Sequence, residues 1–205
     1  MDNIIKFVQE ELKNDYSGHD FSHIERVVNN AKKILLTEEG NEKIVLTACY
    51  LHDIIDEKLF DDLNSQLEKV INLLQNNNYT KDEINEIVDI ISSISYNKGN
   101  FKELTTLNSK IVRDADRLDA IGSIGIIRTI QYGTSKKRKF YEAKNLKYVD
   151  DKCCFNESTD STLSHFYDKL FKLENLMLTD EGKKLAKTRT KIMYDFLESF
   201  YDEIK

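Results

Sequence analysis

The sequence predicts an all-α fold, and three observations carry that prediction. The 205 residues include no proline and only 7 glycines, whereas strand-rich folds need frequent turns and turns lean on those two residues. Apolar residues recur at three- and four-residue spacing along most of the chain, the period of an amphipathic helix. Short polar residues stand where several of these runs begin, as helix caps do. The length suits a single helical domain over residues 1–205, with enough chain to bury a substantial core.

Ile4, Ile5, Val8 and Leu12 predict an opening helix that Asp15-Tyr16-Ser17-Gly18 breaks. Ser22 with Glu25 fits a capping box before a helix carrying Ile24, Val27, Val28, Ala31, Ile34 and Leu35. Gly40-Asn41 ends one element and caps the next. From Ile44 to Ile55 the chain is almost wholly apolar, with His52 and Asp53 embedded in it, which reads as a buried helix end. Leu63, Leu67, Val70, Ile71 and Leu74 mark another helix. Thr80 with Glu83 is a second capping box, followed by Ile84, Ile87, Val88, Ile91 and Ile94. A polar loop near residues 97–100 leads to a helix holding Ile111, Val112 and Leu118. Gly122 and Gly125, set among isoleucines, permit a close helix approach or mark a kink. Residues 133–160 are polar, charged and aperiodic, and are expected to form a long, mobile loop. Helices over 161–177 and 180–204, with Thr179 as N-cap, close the chain as a C-terminal helical hairpin.

The formal net charge of -6 argues against general binding of nucleic acid or anionic membrane. Anionic small molecules remain admissible, because a metal and a few local cations can override the global field. Cys49, Cys153 and Cys154 make no CxxC and no even-numbered framework, which fits a reducing cytoplasm. The N-terminus has no basic segment leading into an apolar run, and no apolar run approaches the roughly 20 residues of a bilayer span. The expectation is a cytoplasmic monomer or homodimer acting on a small molecule.

The chemistry concentrates at a few positions. His52-Asp53 puts an imidazole and a carboxylate inside an apolar segment, which is costly without a partner. A divalent cation can serve both; a helix-end Asp beside a satisfied core His is the plainer alternative. Asp114, Asp116 and Asp119 bring three carboxylates to another apolar segment, and Asp116 and Asp119 share a helical face. His23 starts an apolar helix four residues after His19. Two imidazoles and two carboxylates would make a mixed nitrogen and oxygen site suited to Mn, Fe, Co, Ni or Zn.

The series His23, His52-Asp53, Asp116 resembles the signature of the HD-domain superfamily of metal-dependent phosphohydrolases. The flanks Ser17-Gly18-His19-Asp20, His23-Ile24-Glu25-Arg26-Val27, Leu51-His52-Asp53-Ile54-Ile55-Asp56 and Arg113-Asp114-Ala115-Asp116-Arg117-Leu118-Asp119 are similar to one small bacterial branch, the YedJ/YpgQ-like proteins. His165-Phe166-Tyr167-Asp168 extends the likeness toward the C-terminus. The resemblance implies an HD-domain helical bundle with a buried metal site. It implies one divalent metal ion (Mn, Fe, Co, Ni or Zn, with Mg admissible) on His23, His52, Asp53 and Asp116. It also implies cleavage of phosphoester or phosphoanhydride bonds in nucleotides, foremost hydrolysis of nucleoside triphosphates to monophosphate and pyrophosphate.

Asp56, four residues after His52, is a candidate base for the nucleophilic water, with Glu57 as its substitute; starting a polar loop is its other reading. His19 could meet a phosphate or protonate a leaving group, or simply satisfy backbone at a helix entry. Arg26 could clamp a phosphate or join a salt bridge. Lys137 and Arg138, in the basic run 136–139, could hold a polyphosphate while Tyr132 covers a base; a solvated basic loop is the alternative. His165 is expected to be packed. Competing functions are a nucleotide phosphomonoesterase or phosphodiesterase, and a metal-binding regulatory module without turnover. A di-iron carboxylate bundle is disfavoured because Glu-x-x-His never occurs.

Overall fold

Helices form where the three- and four-residue apolar spacing predicts them. The computed structural model describes residues 1–13, 20–56, 59–60, 62–94, 104–141, 146–149, 152–155 and 161–204, the two short segments by backbone alone. Its helices are α1 (Asp2–Leu12), α2 (Phe21–Leu35), α3 (Glu42–Leu51), α4 (Leu63–Asn76), α5 (Lys81–Ile94), α6 (Leu107–Asp119), α7 (Gly122–Ser135), α8 (Ser164–Asp168) and α9 (Asp180–Glu203). The architecture is the expected all-α bundle. No helix among the described residues is long and apolar enough to cross a membrane.

The chain forms two compact units, Met1–Asp116 and Arg117–Lys205, with the boundary inside α6. The first is a bundle whose apolar stripes converge on a buried interior. Ile4 and Val8 of α1, Ile24, Val27, Ala31 and Ile34 of α2, Val45 and Ala48 of α3, Val70 and Leu74 of α4, and Ile87 and Ile91 of α5 are fully buried. Caps fix where these helices start. The Asn41 carboxamide accepts from the Ile44 amide at 3.2 Å, and the Asp62 carboxylate accepts from Ser65 at 3.0 Å. The Thr80–Glu83 capping box is reciprocal: Glu83 N–H donates to the Thr80 hydroxyl at 3.2 Å, and Thr80 N–H donates to the Glu83 carboxylate at 2.9 Å. At α2 the expected Ser22 cap is corrected. Asp20 is the N-cap, and Ser22 instead donates its hydroxyl to the Asp20 carboxylate at 2.7 Å. An ionised oxygen is the stronger acceptor for the free amides of a helix start.

In the second unit, Gly122 sits at φ 76, where α6 gives way to α7. A Cβ there would lie 3.0 Å from Arg189 Cβ, so this glycine is both a turn and a close approach. Arg189 donates to the Leu118 carbonyl, and Arg128 pairs with the buried Asp119 carboxylate at 2.6 Å. The Thr179 hydroxyl caps α9 as expected, accepting from Gly182 at 3.0 Å. Two expectations change. Helix α7 runs on to Ser135, so the stretch 133–160 begins helical, and residues 146–149 and 152–155 pair as an antiparallel hairpin, Leu146 with Phe155 and Val149 with Lys152. The 161–177 stretch is α8 followed by 3-10 turns at Leu170–Lys172 and Glu174–Leu176. Aromatic packing accounts for the breaks: Phe171 stacks on Tyr194 of α9 at 4.0 Å, and Phe166 stacks on Phe196 at 6.2 Å. Bringing both rings onto α9 takes Lys169 out of helical geometry, to φ -133.

Candidate metal centre

His23 owes its position to the cap of α2. Its amide donates to Asp20 at 3.1 Å, placing it in the first helical turn with its ring 1% exposed. Burial pushes the Asp20 carboxyl upward, but hydrogen bonds from Ser22 and the His23 amide, with the charges of Arg26 and His23, outweigh it and hold the group below its ordinary value.

His52 is the C-cap of α3 and keeps right-handed helical geometry. Its Nδ1 lies 2.8 Å from the Cys49 carbonyl oxygen. A carbonyl only accepts, so Nδ1 carries the proton, and the neutral ring then keeps its lone pair on Nε2, the tautomer that a metal needs. Asp53 follows in the same buried turn and is 5% exposed.

The three side chains converge. The Nε2 atoms of His23 and His52 are 3.3 Å apart. Asp53 Oδ1 lies 3.3 Å from His52 Nε2, and Asp53 Oδ2 lies 3.5 Å from His23 Nε2. Asp116, on α6, brings Oδ1 to 3.6 Å from His23 and 3.8 Å from His52, with its side chain 35% exposed. Donors bound at about 2.1 Å to one ion, subtending about 90–110°, stand about 3.0–3.4 Å apart. The His23, His52 and Asp53 atoms are near that spacing, and these three can hold a metal. Asp116 is the outermost of the four donors and the one open to solvent. The buried trio with an acidic fourth donor is a mixed nitrogen and oxygen set, so the residues fit a divalent ion.

The three aspartates of α6 differ in their surroundings. Asp114 is fully buried, Asp119 pairs with Arg128, and Asp116 comes to the histidines. Burial, with a further push from Asp116, raises the Cys49 thiol far above its ordinary value, and Cys49 is core as expected.

Asp56 is buried at 6% exposure, its amide donating to the Asp53 carbonyl at 3.2 Å. Arg26 donates to the Ser22 hydroxyl at 2.9 Å, inside the cap cluster of α2. His19 and Glu57 lie outside the described residues. Tyr132, Lys137 and Arg138 belong to the 117–205 unit and are exposed. There the Tyr132 ring lies 5.6 Å from both Lys136 Nζ and the Arg138 guanidinium. His165, half-buried on α8, is lowered from its ordinary value by burial and by the charges of Lys169 and Arg138.

Two residues escaped the sequence reading. Asp20 is the cap that sets His23. Asn30, 4% exposed, donates from Nδ2 to the Ala115 carbonyl at 3.0 Å. The available signal was a carboxamide on the apolar face of α2, between Val27 and Ile34.

Residues 20–121 match the HD domain family. Bacillus subtilis YpgQ is 32% identical over 200 residues, spanning 97% of this chain and 90% of YpgQ. The crystal structure of B. subtilis YpgQ in complex with ADP superposes with a TM-score of 0.78 at 32% identity, covering 99% of this chain and 97% of that one. An HD-superfamily hydrolase from Bacillus thuringiensis does so with a TM-score of 0.80 at 35% identity, covering 98% and 95%. With a buried His-His-Asp cluster at the place where the motif puts it, the chain belongs to the HD-domain family and is a YpgQ-like, metal-dependent phosphohydrolase.

Proposed function

We propose that this chain hydrolyses a phosphoanhydride bond of a nucleotide, releasing pyrophosphate from a nucleoside triphosphate and leaving the monophosphate. The observation that carries this reading is the convergence of His23, His52 and Asp53 within 3.5 Å, with Asp116 at its solvent side. The ADP held by the YpgQ crystal structure favours a nucleotide substrate. In this reading His23, His52, Asp53 and Asp116 hold one divalent ion, Mn, Fe, Co, Ni or Zn, with Mg admissible. When bound, such an ion would supply a water acidified toward neutrality and a Lewis acid for a phosphoryl oxygen.

The chain's own groups supply the rest. The Cys49 carbonyl fixes the His52 ring, so its Nε2 need not reorganise. Asp56, in the buried turn after Asp53, is the proposed acceptor of the proton from the attacking water. Arg26, tethered by Ser22, is the proposed phosphate contact on α2. In the 117–205 unit, the exposed Tyr132 ring with Arg138 5.6 Å from it, and the exposed Lys137 of the same basic run, suit a base and an anionic phosphate. His19 and Glu57 keep their proposed roles as leaving-group donor and substitute base. A cytoplasmic setting completes the reading.

The test is metal analysis of the purified protein, then assay of phosphate and pyrophosphate release over a nucleotide panel with Mn²⁺, Mg²⁺, Co²⁺ and Zn²⁺. Pyrophosphate from triphosphates is expected. Phosphate from monophosphates would replace this reading with a phosphomonoesterase. Bound metal without turnover on any substrate would replace it with a regulatory module.

A further inference from the structure

We propose that Asn30 is a positioning residue for Asp116, acting through the backbone of α6. This inference rests on the metal reading above and deepens it. Asn30 and His23 are seven residues apart on α2, two turns, so they share one face of that helix. The rest of that face is apolar: Val27, Ala31 and Ile34 are fully buried. A carboxamide at 4% exposure in such a setting costs free energy unless it is bonded. Its Nδ2 donates to the carbonyl of Ala115, the residue immediately before Asp116, across 85 residues of sequence.

The consequence is geometric. One helix carries His23 directly and carries, through Asn30, a hydrogen bond to the peptide unit joining Ala115 to Asp116. That bond ties α6 to α2 at the residue before Asp116. Asp116 is the loosest of the four donors, at 3.6 and 3.8 Å from the histidines and open to solvent, so it depends most on where its backbone is held. His52 and Asp53 are adjacent in sequence and need no such tie. Asn30 touches no reacting atom; it acts on the coordination set by placing its outer member.

The test replaces Asn30 with leucine, which keeps the branched shape and removes the donor, and with alanine as a second variant. Co²⁺ is the probe, because its visible spectrum reports the coordination set and its affinity can be titrated without turnover. The Asn30→Leu protein is expected to keep the parental circular dichroism and to bind Co²⁺ about 10–100-fold more weakly, the usual loss for a residue that orients a ligand. Its visible spectrum is expected to shift toward that of Asp116→Ala. In the Asp116→Ala background, Asn30→Leu is expected to cost little more affinity, since the carboxylate that the Asn30 bond positions is already gone. Parental Co²⁺ affinity and spectrum in both Asn30 variants, with only a lowered melting temperature, would overturn the inference and leave the metal reading standing. So would a full Asn30→Leu effect in the Asp116→Ala background. If Asn30→Leu does not fold, the same measurements on Asn30→Ala decide. No Co²⁺ binding by the parent protein would overturn the metal reading, and this inference with it.

Discussion

The Nε2 atoms of His23 and His52 lie 3.3 Å apart in a buried setting, with an Asp53 oxygen within 3.5 Å of each. The Cys49 carbonyl accepts a hydrogen bond from His52 Nδ1–H, so in the neutral ring the Nε2 facing His23 bears the lone pair. Three electron-rich groups gathered away from water are stable when they share a cation. Replacing His52 with alanine removes one donor and the tautomer lock together. We expect His52→Ala to lower divalent-metal affinity by at least about 100-fold, beyond the effect of losing an orienting neighbour alone. Titration of the metal-stripped protein checks this, and parental metal affinity in that variant would contradict the proposed centre.

Asp56 gives a different signature. It lies in the buried turn behind Asp53 without joining the close donor set. Asp56→Asn should keep metal affinity within a few-fold and reduce kcat by about 10²–10⁴-fold, the range for removing a general base. A matched loss of metal binding would assign Asp56 to the metal itself. An unchanged kcat would leave it a purely structural residue.

These two expectations were legible in the sequence because each depends on short-range patterns. A charged pair inside the apolar run 44–55 stands out without any knowledge of its neighbours. The helix registers were legible for the same reason, since each stripe repeats locally. What was lost is non-local or locally degenerate. Asp20 and Ser22 are both good caps, and the pattern Ser-x-x-Glu favours the second; the stronger carboxylate acceptor decides for the first. The 161–177 stretch has helical spacing, but the rings of Tyr194 and Phe196 set where Phe171 and Phe166 must go. The hairpin at 146–155 pairs strands of four residues each, too short to show alternation above a polar background. Asn30 gains its meaning only from a carbonyl 85 residues away.

The Asp20 cap yields a pH prediction with a definite sign. Its folded-state pKa is held below the ordinary 3.8, so ionised Asp20 favours the folded state. That contribution is fully present above 3.8 and is lost as pH falls through the lowered value. Asp20→Ala should cost about 0.5–2 kcal/mol at neutral pH, as cap removal does. The gap between parent and variant should close progressively below 3.8. Urea denaturation at neutral pH and at a series of acidic values measures both. A gap that widens on acidification would reverse the assigned sign.

Gly133 tests the packing of the 117–205 unit independently of catalysis. It is buried near the end of α7, and a Cβ there would lie 2.1 Å from Thr162 Oγ1, 2.7 Å from Thr162 Cγ2 and 2.9 Å from Thr162 Cβ. The segments are tied where they meet: Thr162 N–H donates to the Lys139 carbonyl at 2.8 Å, and Leu163 N–H donates to Phe140 at 3.0 Å. Thr162 therefore cannot back away without breaking those bonds. Gly133→Ala should destabilise by about 1–3 kcal/mol, the usual cost of overpacking. For a chain of this size that is a fall in Tm of about 3–10 °C. Thr162→Ala removes the two side-chain atoms beyond Cβ but leaves Cβ itself at 2.9 Å. Adding it should recover part of the loss and show a coupling of about 0.5–3 kcal/mol between the two sites. Additive effects in that double-mutant cycle would mean that the two residues do not share the space that their geometry assigns them.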